Sequence, residues 1–323
     1  MSTTTPTLAK RPFGRTGFQV TPICVGGAPL GDMPETFAYS APEARALETI
    51  RATFASSINF LDTAAIYGYG ESERRIGLVI REMGGLPPGF VLATKADRDP
   101  ETNEFSGDQF KRSVEGSLER LGLDRLQYVY IHDPEHSTFE TIMAPGGPLD
   151  VLKNYQKQGV IEHIGMSGGP IKMLIRYLET GEFTAVETHN RYTLLNRSAE
   201  PLLDVATRLG VAVANAAPYG SGMLAKGPDA YARYAYQDAP PALVERTRQL
   251  AAVCQEYGVP LAAAALQFSL RDPRVTSTVV GMTKPERVAQ TLELASHPIP
   301  ADLWPALDAV GFDTEDPEAN RFK

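Results

Sequence analysis

The sequence of 323 residues predicts an α/β fold, a (β/α)8 TIM barrel in which eight parallel strands alternate with helices. Short apolar segments rich in β-branched residues recur along the chain, as expected for strands that are buried on both faces. An amphipathic helical segment follows each of them. A doubly wound open sheet is the alternative, but its fingerprint G-x-G-x-x-G is missing from CVGGAPLG, after the first strand.

The predicted elements follow in chain order. KRPFGRTGFQV predicts a small N-terminal β-hairpin that turns at Gly17, and ADLWPALDAVGF predicts an extra C-terminal helix after the barrel. The predicted strands are TPICVGGAPL, INFLDTAA, FVLATKAD, LQYVYIHDP, IEHIGMSGG, FTAVETHNRY, VAVANAAPYGSG and VTSTVVGM. The helices that follow them are APEARALETIRATFASS, ESERRIGLVIREM, GDQFKRSVEGSLERLG, PLDVLKNYQKQG, PIKMLIRYLETG, SAEPLLDVATRLG, PALVERTRQLAAVCQEYG and TKPERVAQTLELAS. No linker or low-complexity segment divides these units, so we expect residues 1–323 to form a single domain.

Composition limits the classes of function. The chain carries a formal net charge of -8, which disfavours binding to nucleic acid or to an anionic membrane surface. No apolar run is long enough for a membrane helix, and the N-terminal residues lack the apolar region of a secretion signal. The two cysteines, Cys24 and Cys254, form no motif and are interpreted as core residues. We therefore expect a soluble protein of the reducing cytoplasm.

Polar side chains stand where three successive predicted strands end. Asp62 ends the second strand with Tyr67 in the loop beyond it, Lys95 ends the third, and His132 ends the fourth. The catalytic groups of such barrels lie at the C-terminal ends of the strands. A lysine within an apolar strand also needs a charged or polar partner. We therefore expect these four side chains to meet in one mouth and to be catalytic.

The four residue types suit proton transfer at a carbonyl or alcohol carbon. A free tyrosine has a pKa near 10. A neighbouring ammonium favours the phenolate, so Lys95 is expected to lower the pKa of Tyr67. The Asp62 carboxylate would hold Lys95 charged and fixed, and His132 would donate a hydrogen bond to the substrate oxygen. A hydride carrier must come from a cofactor, because no side chain supplies one.

These residues and their motifs resemble the aldo-keto reductase family. LDTAAIYGYGESE, LATK and YIHDP carry the four residues, while RTGFQVTPICVGG and GVIEHIGMSGG extend the similarity from about residue 11 to about residue 295. HDP, NRYTLLNR and NAAPYGSGML resemble the aldose 1-dehydrogenase branch, which includes D-threo-aldose and L-fucose dehydrogenases. The resemblance implies a TIM barrel with NAD or NADP as cofactor and a sugar or carbonyl compound as substrate.

The resemblance also implies a set of cofactor-binding positions. Ser167 matches the serine that holds the nicotinamide carboxamide, and Arg287 matches an arginine of NADP-using relatives. Gly168, His189 and Ala216 depart from the usual Asn, Gln and stacking aromatic residue; Gly281 and Thr291 depart from the usual Lys and Asn. Backbone amides of a loop and of a helix start would meet the phosphates. The remaining implied residues are Pro218, Tyr219, Gly220, Ser221, Gly222, Leu224, Thr283 and Lys284.

Two enzymatic functions follow from the resemblance. The first is oxidation of C1 of an aldose to the lactone, with Tyr67 as the base. The second is reduction of an aldehyde or ketone by NADPH, as in carbonyl or pyridoxal-type reductases, with Tyr67 as the acid. The sequence favours neither NAD nor NADP and predicts no oligomeric state. Some relatives bind NADPH mainly as regulatory channel subunits, and the complete set of four residues argues against that class.

Overall fold

Eight parallel strands close into a barrel in the computed structural model, which describes residues 8–37 and 39–319. In chain order the strands of this part of the chain are β1 (Arg11–Pro12), β2 (Gln19–Val20), β3 (Ile23–Gly26), β4 (Phe60–Asp62), β5 (Val91–Ala96), β6 (Leu126–His132), β7 (Ile161–Ser167), β8 (Ala185–His189), β9 (Ala212–Ala216), β10 (Arg233–Tyr234), β11 (Gln237–Asp238) and β12 (Ser277–Gly281). Strands β3 to β9 follow one another around the barrel, and β12 pairs with β9 and β3 to close it. The predicted (β/α)8 TIM barrel is confirmed.

Helices cover the outside of the barrel. They are α1 (Pro34–Phe37), α2 (Glu43–Phe54), α3 (Glu71–Met83), α4 (Gly107–Leu121), α5 (Phe139–Met143), α6 (Pro148–Lys157), α7 (Ile171–Leu178), α8 (Glu200–Leu209), α9 (Met223–Lys226), α10 (Pro241–Glu256), α11 (Leu261–Leu270), α12 (Glu286–Ser296) and α13 (Leu303–Val310), with 3-10 turns at Ala28–Gly31, Pro134–His136 and Gly220–Gly222. Helix α4 shows how sequence sets the bounds. The Ser106 side chain accepts a hydrogen bond from the Gln109 N–H at its start, and Gly122 ends it at φ 68°.

The N-terminal hairpin closes one end of the barrel. Strands β1 and β2 pair antiparallel, and Gly17 between them has φ 83°. The fully buried ring of Phe13 lies 5.2 Å from the Phe60 ring and 5.3 Å from the Tyr128 ring, in edge-to-face contacts. Because Phe60 and Tyr128 lie near the starts of β4 and β6, the hairpin covers the N-terminal end. The C-terminal end is the open mouth.

The segment that follows α13 is fixed to the loop that follows β8. The Arg191 guanidinium is buried and donates to Glu318 at 2.8 Å and to Asp316 at 2.7 Å. The predicted C-terminal helix corresponds to α13. Within residues 8–37 and 39–319, no helix combines the length and the apolar character needed to cross a membrane. That the chain forms a single domain stays a prediction.

Candidate active site

Three neighbouring strands bring the four predicted side chains to the barrel mouth. Asp62 ends β4, Lys95 lies near the end of β5, and His132 ends β6. Lys95 is fully buried, and its ammonium is paired with a carboxylate oxygen of Asp62. The same ammonium donates to the Thr63 carbonyl at 3.0 Å and to the Tyr67 hydroxyl oxygen at 3.2 Å. The chain thus forms a continuous Asp62–Lys95–Tyr67 hydrogen-bond network.

The loop that carries Tyr67 is held by close backbone packing. Gly68 has φ 61°, and a Cβ atom there would lie 2.0 Å from the Gly31 carbonyl oxygen. Only glycine fits such an approach in this backbone region. The Ile66 N–H donates to a carboxylate oxygen of Asp97 at 2.9 Å, which ties the loop to the end of β5. The position of the Tyr67 hydroxyl is therefore set by backbone contacts on both sides of it.

A second buried carboxylate contacts Lys95, and the sequence pattern did not predict it. Glu187 lies in β8, is 5% exposed, and places Oε1 3.4 Å from the Lys95 ammonium. Its Oε1 is also 3.5 Å from the Ser167 hydroxyl on β7, the strand with which β8 pairs. An acidic residue inside the apolar strand AVETH was the available signal, since buried charges need partners.

His132 is held by a carboxylate that the sequence pattern also missed. Its Nδ1 lies 2.6 Å from Asp97 Oδ1, and its Nε2 lies 3.5 Å from Asp133 Oδ1. Burial disfavours the imidazolium, but the carboxylates of Asp133 and Asp97 outweigh it and raise the pKa of His132 to about 9. At neutral pH the ring is therefore protonated on both nitrogens. Its ring lies edge-on to Tyr67, with 5.6 Å between centroids.

The protonation of Tyr67 differs from the expectation. Burial raises the pKa of Tyr67 well above its ordinary value, and the lowering by Lys95 is weaker than this desolvation. The Asp62 and Glu187 carboxylates add to the rise. The prediction that Lys95 brings the pKa down is therefore wrong for the net value, although the direction of its own effect is as expected. Tyr67 is a neutral phenol at neutral pH.

The carboxylates share one ammonium, and this sets their protonation. Burial and the Glu187 carboxylate raise the pKa of Asp62 to about 7, against the opposing effect of Lys95. Burial disfavours the ammonium of Lys95, yet Asp62 and Glu187 hold its pKa well above the ordinary value. Oδ1 of Asp62 is buried and has no hydrogen-bond partner among the described residues. Two buried carboxyl groups therefore share the one ammonium of Lys95.

A cleft of about 430 Å³ adjoins this site. Asp62, Tyr67 and Glu187 line one part of it. The predicted cofactor residues that line it are Ala216, Pro218, Tyr219, Ser221, Gly222, Gly281, Thr283, Lys284, Arg287 and Thr291. The other predicted cofactor residues do not line it: Ser167, Gly168, His189, Gly220 and Leu224.

Four of these five residues are buried, and His189 is partly buried. Gly220 and Leu224 are buried, and a Cβ at Gly220 would lie 2.3 Å from the Tyr234 ring. His189 Nδ1 lies 3.3 Å from Glu318. Ser167 does not line the cleft, but its hydroxyl lies 3.5 Å from Oε1 of Glu187, which does.

The cleft has the chemistry that a dinucleotide needs. The side chains of Arg45, Lys226, Lys284 and Arg287 line it. Lys284 and Arg287 have no carboxylate partner in the part of the chain that the structure describes, so both can face phosphate oxygens. Tyr219 also lines the cleft, and its buried hydroxyl lacks a hydrogen-bond partner among the described residues. A phosphate-bearing ligand fits the two cations Lys284 and Arg287.

Comparison with known proteins defines first the class and then the family. An aldo-keto reductase from Bacillus halodurans in its holo form superposes with a TM-score of 0.78 at 21% identity and covers 97% of this chain and 99% of that chain, which shows the shared barrel fold. The model described as aldo/keto reductase family matches residues 22–311, and the chain belongs to that family. It is therefore an oxidoreductase of a family that uses NADH or NADPH.

Two curated relatives are similar over nearly their whole length. A D-threo-aldose 1-dehydrogenase from a Pseudomonas species is 31% identical over 333 residues, which cover 95% of this chain and 97% of the relative. A pyridoxal 4-dehydrogenase from Microbacterium luteolum is 30% identical over 339 residues, which cover 94% of this chain and 97% of the relative. The resemblance to the aldose dehydrogenase branch is thereby supported.

Proposed function

We propose that the protein is an NAD(P)-dependent dehydrogenase that oxidises C1 of an aldose to the lactone. One observation carries this proposal: the Tyr67 hydroxyl lies 3.2 Å from a lysine ammonium that a buried aspartate holds, at one part of a cleft lined with cations. The similarity to a D-threo-aldose 1-dehydrogenase supports a sugar substrate. The His132 ring, which lies edge-on to Tyr67, and the neighbouring Asp133 carboxylate suit a ligand with several hydroxyl groups.

Tyr67 is proposed to exchange the proton of the reacting oxygen. In oxidation it accepts the proton of the C1 hydroxyl, which requires the phenolate, and Lys95 stabilises that form through its hydrogen bond. In reduction the neutral phenol donates its proton to the carbonyl oxygen. Asp62 keeps Lys95 in place in both directions.

His132 is proposed to orient the substrate oxygen. Because its Nδ1 faces Asp97, its Nε2–H is the group that can donate to the substrate. Because the ring is protonated at neutral pH, Nε2 carries a hydrogen and can donate it. In a neutral ring whose only hydrogen is on Nδ1, facing Asp97, Nε2 could only accept a hydrogen bond. Asp97 therefore determines which nitrogen of His132 is left to contact the substrate oxygen.

The cleft residues are proposed to hold the cofactor, NAD or NADP. When bound, the dinucleotide supplies or accepts the hydride. Lys284 and Arg287 would hold phosphate oxygens, and the start of the segment after β12 adds backbone N–H donors. Ser167 would hold the carboxamide, with Gly168, His189 and Ala216 at the positions of the usual Asn, Gln and aromatic residue.

The test is an absorbance assay at about 340 nm, where reduced nicotinamide absorbs. The protein is incubated with NAD+ or NADP+ and a panel of aldoses that differ in configuration from C2 onward. Growth of the signal with one sugar supports the proposal, and the two cofactors compared at equal concentration give the preference. Binding of dinucleotide without turnover of any sugar or carbonyl compound would contradict it and favour a sensor role.

A carbonyl or pyridoxal-type reductase is the second candidate. The neutral Tyr67 phenol favours it, because that form is the proton donor that reduction needs. The similarity to a pyridoxal 4-dehydrogenase brings pyridoxal into the panel. Consumption of NADPH with aldehydes, together with no reaction of any sugar, would decide for this candidate.

A further inference from the structure

Glu187 adds a second carboxylate to the reactive part of the cleft. Its carboxylate lines the cleft together with Asp62, and both carboxylates contact the same ammonium of Lys95. The buried guanidinium of Arg191 is already matched by Asp316 and Glu318. Among the described residues, Lys95 is therefore the only cation within salt-bridge distance of Glu187.

The proposed function fixes which part of a dinucleotide meets this charge. Proton and hydride add to the two atoms of one carbonyl group, so the hydride carrier must approach the carbon whose oxygen faces Tyr67. The cations Lys284 and Arg287 elsewhere in the cleft suit the phosphates. The nicotinamide is thus expected in the part of the cleft that Tyr67 and Glu187 line.

We propose that Glu187 makes this site selective for the oxidised, cationic nicotinamide over the reduced, neutral one. The two redox forms have nearly the same size and the same hydrogen-bonding groups, but only the oxidised ring carries a positive charge. A carboxylate of low exposure on the cleft wall attracts that charge in a medium that screens it poorly. This inference rests on the proposed function and assigns Glu187 a role in cofactor specificity.

The selectivity has a consequence for the bound cofactor. A site that binds the oxidised cofactor more tightly than the reduced one shifts the equilibrium between the two bound redox forms toward the oxidised form. Asp62 cannot supply the same effect alone, because its carboxylate forms the closer ion pair with Lys95. Glu187 is the carboxylate in excess.

Calorimetric titration of the full chain with the oxidised and the reduced dinucleotide tests the inference. We measure the ratio of the two affinities at about pH 8.5, above the pKa of about 7 for Asp62. Asp62 is then ionised with or without Glu187, so a change in its protonation does not compensate for the lost charge of Glu187. Glu187→Gln is expected to lower the preference for the oxidised form roughly tenfold, or about 1.4 kcal/mol. Glu187→Asp, which keeps the charge, is expected to retain most of it.

Glu73→Gln is the matched control, because Glu73 is a fully buried carboxylate that pairs with Arg120 and does not line the cleft. Its ratio should equal that of the unmodified protein. An unchanged ratio in Glu187→Gln, or equal weakening of both redox forms, would overturn the inference and leave only a structural role for Glu187. Should Glu187→Gln not fold, Glu187→Met supplies the neutral side chain. Failure of the unmodified protein to bind either form would refute the proposed function itself.

Discussion

At the scale of single residues, proton transfer depends on one hydroxyl group. Tyr67→Phe removes that hydroxyl and keeps the ring that contacts His132. We expect kcat to fall by roughly 10²–10⁴, the usual contribution of a general acid or base. Dinucleotide affinity should be nearly unchanged, because the ring still fills its place. Steady-state kinetics with the best substrate of the panel and a dinucleotide titration measure the two quantities.

Tyr69→Phe is the control for this substitution. Tyr69 lies in the same loop and is 81% exposed, so removal of its hydroxyl should leave turnover unchanged. If Tyr67→Phe kept more than about a tenth of the rate, general acid–base catalysis by Tyr67 would be the wrong assignment.

The electrostatics of His132 give a second prediction. Asp97→Asn removes one of the two carboxylates that outweigh burial, so the pKa of His132 should fall from about 9 toward the ordinary value of about 6.5. An NMR titration of the five histidines measures this midpoint. His163 contacts Phe18 near the other end of the barrel and serves as the internal reference. An unchanged His132 midpoint would show that Asp97 does not stabilise the charged ring.

The four side chains at the strand ends could be predicted from sequence because each follows a strand at a place where the fold puts catalytic groups. Glu187 and Asp97 could not be predicted in the same way. Their partners lie on other strands, and which strands face one another inside the barrel depends on closure and register. The net pKa of Tyr67 was missed for the related reason that burial and a second carboxylate act only in the folded chain.

At the scale of elements, the close contact between α3 and α4 depends on Gly77, which has no side chain. A Cβ atom at Gly77 would lie 2.0 Å from the Arg120 carbonyl oxygen, so the two backbones touch there. Gly77→Ala is expected to lower the free energy of unfolding by about 1–3 kcal/mol through overpacking. This loss exceeds the gain of about 1 kcal/mol that alanine brings to a helix. Urea unfolding measures the difference.

Gly116→Ala, in α4 at the same helix pair, is the matched control. The added Cβ would meet only the guanidinium end of Arg120, which can shift because it belongs to a flexible side chain. The free energy of unfolding should change by less than about 1 kcal/mol. Equal destabilisation by both substitutions would mean that backbone contact at Gly77 is not the cause.

The elements themselves could be predicted where one face is apolar and the other polar. Helix α11 escaped prediction because LAAAALQFSL is apolar on nearly every face and so shows no helical period. It packs against β12, α9, α10 and α12, an arrangement that only the packed structure defines. The short hairpin of β10 and β11 was missed as well, since two-residue strands carry no alternating pattern.

At the scale of the whole molecule, remote segments meet at Arg191. Its guanidinium pairs with Asp316 and Glu318 of the C-terminal segment and donates to the His189 carbonyl at the end of β8. A Cβ at Gly169, after β7, would lie 2.7 Å from the same guanidinium. This cation therefore joins the C-terminal segment to the wall of the mouth that carries Glu187.

Arg191→Met is expected to lower the free energy of unfolding by about 3–5 kcal/mol, because Glu318 is left as a buried carboxylate without its main cation. Arg51→Met breaks a pair with Glu82 in which both side chains are about half exposed, and it should cost less than about 1 kcal/mol.

The double variant Arg191→Met with Glu318→Gln should lose less than the sum of the two single variants, since no carboxylate remains at position 318 to be buried unpaired. Urea unfolding of the unmodified protein, the three single variants and the double variant measures these differences. Additive losses would mean that Arg191 and Glu318 stabilise the chain independently, and that the C-terminal segment is not held through this pair.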